Sequence, residues 1–169
     1  MPGRTAEPAA VVRLLLERGV TLGSAESLTG GLLGAAVTSV PGSSAVYVGG
    51  VVTYATRLKL SVLGVPAEVV ETDGVVSERC ARAMAEGARA LLGADYAVST
   101  TGVAGPDLQE GKPAGTAYVA VAGPQETVVQ ALHLTGDRQA VREGVVQEAL
   151  GLVLALVGQN TPREVEGLE

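Results

Sequence analysis

Residues 20–39 read Val-Thr-Leu-Gly-Ser-Ala-Glu-Ser-Leu-Thr-Gly-Gly-Leu-Leu-Gly-Ala-Ala-Val-Thr-Ser. Val20 to Ser24 has the length and apolarity of a short buried strand. Leu28 to Ser39 has the apolar spacing of a helix, and Pro41 stands beyond its end. Between them, Ser24-Ala25-Glu26-Ser27-Leu28-Thr29-Gly30-Gly31 is a glycine-containing turn. A strand that turns at once into a helix is the building unit of an α/β domain. Ligands of open α/β sheets bind beyond the carboxyl ends of the strands, so the same turn is the first candidate for function.

Working outward, Pro8 to Arg18 carries the apolar stripe of a helix that Gly19 stops. Ser44 to Ala55 is Val-rich with tyrosines at both ends and reads as a strand. Leu58 to Leu63 and Pro66 to Glu71 read as short helices. Ser77 is an N-cap for a helix running to Leu92, which Gly93 ends. Asp95 to Thr101 is the next strand, and Gly102 to Gly111 a loop. Gly115 to Ala122 and Glu126 to Leu134, joined at Gly123-Pro124, form a β-hairpin, and Asp137 caps a final helix to about Val157. The pattern predicts a three-layer α/β/α sandwich with a mixed, mostly parallel sheet of about five strands, because the hairpin forces one antiparallel strand. The 169 residues are expected to form one domain, with a core over about 8–158 and a frayed polar tail over 159–169.

Composition narrows the function. Hydrophobic residues make up 47% of the chain, with four Tyr and no Phe or Trp, so the core must be aliphatic. Twelve basic against eighteen acidic residues give a net charge of -6, which argues against a nucleic-acid surface, since that needs a basic face. The single Cys80 excludes an intrachain disulfide, and one His with one Cys makes no ordinary zinc site. No dense Asp/Glu motif suggests another metal. The start of the chain lacks a signal-peptide pattern and no apolar run is long enough to cross a membrane, so a cytoplasmic protein without membrane contact is expected.

Five segments can carry chemistry, and each has a plainer reading beside it. Ser27 is placed to be a nucleophile or to bind an anion; the plainer reading is that Ser27 or Thr29 caps the helix. Tyr54 and Lys59, at another strand end, either share that crevice or sit at the surface. Thr101 and Gly102 to Gly105 lie where backbone N–H groups can cradle an anion or an oxyanion, or merely connect two elements. Lys112 either pairs with an anion or is solvated. Arg138 and Arg142, four apart on one helix face, form a phosphate clamp or a solvated pair. A serine nucleophile needs a base. His133, on the alternation of a strand, reads as structural, and Cys80 reads as a packed helix residue. A lysine made neutral by burial remains, and Lys59 is the best candidate, with Tyr54 holding it or relaying a proton.

Taken together, the segments resemble the C-terminal domain family of the competence/damage-inducible protein CinA. The matching residues are Ala25-Glu26-Ser27 with Thr29-Gly30-Gly31; Pro41-Gly42-Ser43-Ser44; Val52-Thr53-Tyr54 with Lys59; and Gly74-Val75-Val76-Ser77-Glu78. The match continues through Gly102 with Ala104-Gly105-Pro106, Lys112-Pro113 with Gly115-Thr116, and Gly136-Asp137-Arg138 with Arg142. Leu28 departs from the small or polar residue common in relatives. The resemblance implies a nicotinamide-nucleotide amidase, which deamidates nicotinamide mononucleotide to nicotinate mononucleotide and ammonia in pyridine nucleotide salvage. It implies Ser27 as nucleophile with Tyr54 and Lys59 beside it. Thr29, Gly30, Gly31, Thr101, Gly102, Gly105, Lys112, Arg138 and Arg142 are expected to bind substrate or oxyanion, with no metal or organic cofactor. The rival expectation is a non-catalytic nucleotide-binding module. A homo-oligomer, with a dimer favoured, is expected from the Val/Leu-rich composition.

Overall fold

The computed structural model describes residues 5–160, so the predicted tail beyond 160 lies outside the described residues. The elements follow in the order α1 Pro8–Arg18, β1 Leu22–Glu26, α2 Leu32–Thr38, a 3₁₀ turn Ser43–Ala45, β2 Tyr47–Val52, α3 Thr56–Ser61, α4 Ala67–Asp73 and α5 Glu78–Leu92. Then come β3 Tyr96–Gly102, β4 Thr116–Ala122, β5 Thr127–His133 and α6 Arg138–Gln159.

The five strands form one sheet in the order β2-β1-β3-β4-β5. β1 pairs in parallel with both β2 and β3, while β3–β4 and β4–β5 are antiparallel. Four strands therefore run one way and β4 alone runs the other, which is the mixed sheet expected. β1 lies inside the sheet between β2 and β3 and is buried at all five residues.

Each face of the sheet is covered by its own helices. On one face Val11, Val12 and Leu15 of α1, Leu33 and Val37 of α2, and Val141, Val145, Ala149 and Val153 of α6 pack on Leu22, Val98, Val119 and Val121. On the other face Cys80, Met84 and Ala88 of α5 pack with Val69 of α4 on Ala25 and Ala97. Strand residues an odd number apart fall in opposite clusters, Leu22 against Ala25 and Val98 against Ala97, which is the period of two that a strand imposes. At roughly 25 cal/mol per Å² of apolar surface removed from water, these aliphatic layers supply the main driving force of folding.

Boundaries move where long-range contacts override local pattern. The predicted strand Val20–Ser24 lies two residues later, because Glu26 stays in the ladder opposite Val52. The predicted helix Leu28–Ser39 begins only at Leu32. Gly30 and Gly31 have φ of 57° and 109°, left-handed values that end any helix there. What starts α2 is the Glu26 side chain, whose carboxylate accepts the N–H of Leu33 at 2.8 Å and of Gly34 at 3.2 Å. A carboxylate at that end is favoured by the helix dipole as well as by the two hydrogen bonds. The expected free helix start beside Ser27 is therefore occupied by the protein itself. β2 is shorter than the predicted Ser44–Ala55, since Ser43–Ala45 coils into the 3₁₀ turn and Thr56 already opens α3. The caps at Ser77 and Asp137 are as expected: their side chains accept the N–H of Cys80 at 3.1 Å and of Ala140 at 2.9 Å, contacts that typically contribute ~1 kcal/mol each.

Candidate active site

The connection from β1 to β2 carries α2 on one face of the sheet, and that from β2 to β3 carries α3, α4 and α5, with α4 and α5 on the other face. The chain thus changes sides at the carboxyl end of β1, where a doubly wound sheet opens a crevice. A cleft of about 380 Å³ lies at that end, within the ~300–1,000 Å³ common for small-molecule sites. Ser27, Tyr54, Lys59, Thr101, Gly102, Gly105 and Arg138 all line it.

Ser27 follows the last residue of β1. Its N–H is anchored to β3 by the Thr100 carbonyl at 3.1 Å and the Thr100 hydroxyl at 3.2 Å. From α3 the Lys59 side chain runs inward, and its Nζ lies 3.0 Å from Ser27 Oγ, 2.7 Å from the Thr53 carbonyl oxygen and 3.3 Å from that of Tyr54. Lys59 is only 1% exposed. Burial pushes its pKa below the ordinary lysine value, against the opposing pull of the Glu110 carboxylate. Burial also pushes the Cys80 thiol up to about 11, so at neutral pH it stays a thiol and offers Lys59 no thiolate partner.

The stoichiometry of Lys59 is informative. A neutral amine has two N–H donors and one lone pair. The Thr53 and Tyr54 carbonyls take the two N–H groups, which leaves the lone pair for the Ser27 hydroxyl. When charged, the same group has three donors for the same three oxygens. The pocket therefore accommodates both protonation states of the amine without moving a heavy atom.

Other expected site residues divide. Tyr54, 60% exposed as a residue, holds Lys59 through its backbone carbonyl and not its phenol, whose hydroxyl accepts from an Arg138 guanidinium nitrogen at 3.3 Å. Arg138 also donates to the Gly105 carbonyl at 2.6 Å. Arg142 turns away from the cleft. It donates to the carbonyls of Leu28 at 3.0 Å and Thr29 at 3.2 Å, and so supports the serine turn from behind. Thr29 is fully buried, with its hydroxyl 2.8 Å from that of Thr100. The Gly30 N–H is bonded to the Ser27 carbonyl at 3.0 Å, and Gly31 precedes α2. Lys112 donates to the Val76 carbonyl. None of Thr29, Gly30, Gly31, Lys112 and Arg142 lines the cleft. His133 is exposed on the edge strand β5, and Cys80 is buried behind Lys59's side of the sheet. Among the described residues no three His, Cys, Asp or Glu side chains gather as a metal site, and no helix is long and apolar enough to cross a membrane.

Thr53 and Glu26 stand in the matched motifs without a role assigned to them, and Thr100 is not singled out by the sequence at all. Thr53 contributes through a carbonyl, which no side-chain pattern betrays. Thr100 and Glu26 act across distances of 73 and 7 residues. Glu26 alone had a signal, a lone acid beside the serine.

The family model of the CinA C-terminal domain matches residues 5–157. A CinA-like protein of Frankia casuarinae is 51% identical over 143 residues, which cover 85% of this chain and 33% of that one. A putative competence-damage inducible protein of a Geobacillus species is 50% identical over 144 residues, covering 85% and 35%. The chain thus spans about a third of the length of these curated relatives. Among solved structures, a CinA superfamily protein from Klebsiella pneumoniae superposes with a TM-score of 0.88 at 37% identity, covering 90% of this chain and 96% of its own. A competence/damage inducible protein from Agrobacterium tumefaciens gives 0.87 at 34% identity, covering 94% and 98%. With the family model spanning nearly all the described residues and the fold matching closely, the chain belongs to the CinA C-terminal domain family.

Proposed function

We propose that this chain is a nicotinamide-nucleotide amidase, which hydrolyses the carboxamide of nicotinamide mononucleotide to the carboxylate and ammonia. The observation that carries the reading is the buried Lys59 Nζ 3.0 Å from Ser27 Oγ, with its remaining donors absorbed by two carbonyls.

In this reading Lys59 is neutral and takes the Ser27 proton as Oγ forms a bond to the amide carbon. The developing oxyanion meets backbone N–H groups; one such donor typically contributes ~3 kcal/mol. The Leu28 N–H, next to the nucleophile on the cleft wall, and those of Ala104 and Gly105 have no acceptor among the described residues. The Gly30 N–H is already engaged and drops out of this role. As the tetrahedral centre collapses, the C–N bond breaks and the Lys59 ammonium gives its proton to the departing NH2 group, which leaves as ammonia. Water then attacks the acyl-enzyme, loses a proton to Lys59, and Ser27 regains its own. Val75, Val103 and Leu28 offer apolar contact for the pyridine ring. Arg138 at the rim has two of its five N–H donors engaged, which leaves three for a phosphate.

The test is ammonia release from nicotinamide mononucleotide by the purified chain. Wild type is expected to turn over, and Ser27→Ala to lose at least ~10³-fold in kcat while still binding the nucleotide. A wild-type chain that binds the nucleotide without releasing ammonia is a binding module. A Ser27→Ala variant with undiminished activity removes the nucleophile.

A further inference from the structure

The β3–β4 loop, residues 103–115, supplies most of one cleft wall. Its tip is a two-residue hairpin, Gln109-Glu110-Gly111-Lys112, closed by hydrogen bonds of 3.1 and 2.9 Å between Gln109 and Lys112. Both central residues have positive φ, 52° for Glu110 and 73° for Gly111, which is the type I′ pattern. Such turns favour Asn, Asp or Gly at the first central position, and Glu110 is the only non-glycine at positive φ among the described residues. A glutamate there calls for a reason outside the turn.

That reason lies on the segment before α5. The Glu110 carboxylate accepts the N–H of Val75 at 3.0 Å and of Val76 at 2.8 Å. Lys112, on the other side of the turn, donates to the Val76 carbonyl. Gly74 leaves room for this seat: a Cβ on it would stand 2.3 Å from Glu110 Oε2. Thr101 of β3 donates to the Val75 carbonyl at 2.7 Å, so the main chain of Val75 is gripped at both its polar groups. Val75 itself lines the cleft beside Lys59.

We propose that Glu110 and Lys112 are positioning residues for the proposed amidase reaction: a two-point clasp that seats the 103–115 loop on Val75 and Val76 and so holds one wall of the cleft opposite Ser27 and Lys59. Lys112 is then spent on the fold and does not meet the substrate phosphate. The clasp also brings one carboxylate into the surroundings of Lys59. The ionisable groups there are Cys80 from α5, Glu110 from the loop, and Tyr54, Asp107 and Arg138 around the cleft. Glu110 favours the charged form of Lys59 and therefore works against its desolvation.

The experiment compares wild type with Glu110→Ala, Glu110→Gln and Lys112→Met by amide hydrogen exchange and by the pH profile of ammonia release from nicotinamide mononucleotide. In Glu110→Ala, exchange at 75–76 and 103–115 is expected to quicken at least ~10-fold while that of α5 from Met84 onward stays protected. Lys112→Met is expected to quicken the same segments. Glu110→Gln keeps one acceptor and should fall between Glu110→Ala and wild type. Because it removes the charge, it should also move the acid limb of kcat/KM to lower pH, which loosening of a loop alone would not do. Unchanged exchange in Glu110→Ala overturns the clasp. Faster exchange with unaltered KM, kcat and pH profile overturns its positioning role. A wild-type chain that releases no ammonia overturns the amidase reading, and the exchange data still decide whether the clasp exists.

Discussion

Lys59 is the residue on which the chemistry turns, and its surroundings set a sharp contrast between two substitutions. Lysine can lose its proton in a buried site, whereas arginine stays charged at any working pH. Lys59→Arg keeps a cation and its donors but has no lone pair for Ser27, so ammonia release should fall ~10²–10⁴-fold in kcat. Tyr54→Phe removes only a hydroxyl that accepts from Arg138, and the backbone carbonyl that holds Lys59 remains. It should keep kcat within ~10-fold of wild type, with the larger change in KM. Steady-state kinetics of the two folded variants checks this; an equal collapse of kcat in both would make the phenol part of the proton path. Ser27, Lys59 and Tyr54 were all legible as types at strand ends. What the phenol and the carbonyl of Tyr54 each do was not, because the direction of a side chain at a loop depends on contacts with α6, more than 80 residues away.

Elements were recognised from their periodicity, and their ends were not, for one reason: the ends are made by partners distant in sequence. α2 is the clear case. Leu28, Leu32 and Leu33 carry helical spacing, yet the chain needs residues 27–31 as an open turn between β1 and α2. Glu26, bonded to Leu33 and Gly34, fixes the length of that turn. α5 shows the opposite situation, since its ends are local and were read correctly from Ser77 and Gly93. Its interior holds a constraint that propensity misjudges. A Cβ on Gly87 would stand 1.9 Å from the Leu63 carbonyl oxygen, in the link between α3 and α4. Mid-helix glycine to alanine ordinarily stabilises by ~1 kcal/mol. Here the clash is with backbone, which cannot rotate away, and overpacking of that kind costs ~1–3 kcal/mol or more. Gly87→Ala is therefore expected to lower stability, and because the displaced segment adjoins α3 it should also lower amidase activity. Urea denaturation reads the sign; a gain in stability would mean that the α3–α4 link yields freely.

The sheet divides the core in two, and the buried amine reaches in from short α3 to the carboxyl end of β1. The layered architecture was readable from the order of strands and helices alone, because each layer needs only an apolar stripe facing the sheet. The burial of a lysine was readable only by elimination, since local sequence treats Lys59 as one more charged residue on a helix. That burial has a consequence for the stability of the fold. Lys59 has a lower pKa folded than unfolded, where it lies near 10.5. Between those two values the unfolded chain binds the proton and the folded chain does not, so unfolding takes up a proton and stability rises with pH. Below the folded value both states are charged, and the folded state bears the full cost of burying the ammonium. Lys59→Met has no proton to bind. The stability of wild type relative to Lys59→Met should therefore increase as pH rises toward 10.5, at up to ~1.4 kcal/mol per pH unit. The comparison cancels the titrations that Lys59 does not influence, and the Cys80 thiol, on which Lys59 acts, is removed from the window by making both proteins in a Cys80→Ala background. Urea titrations of both at a series of pH values through this window measure it directly. Parallel stability curves would mean that Lys59 keeps its ordinary pKa in the folded state, and a permanently charged lysine could not take the proton of Ser27.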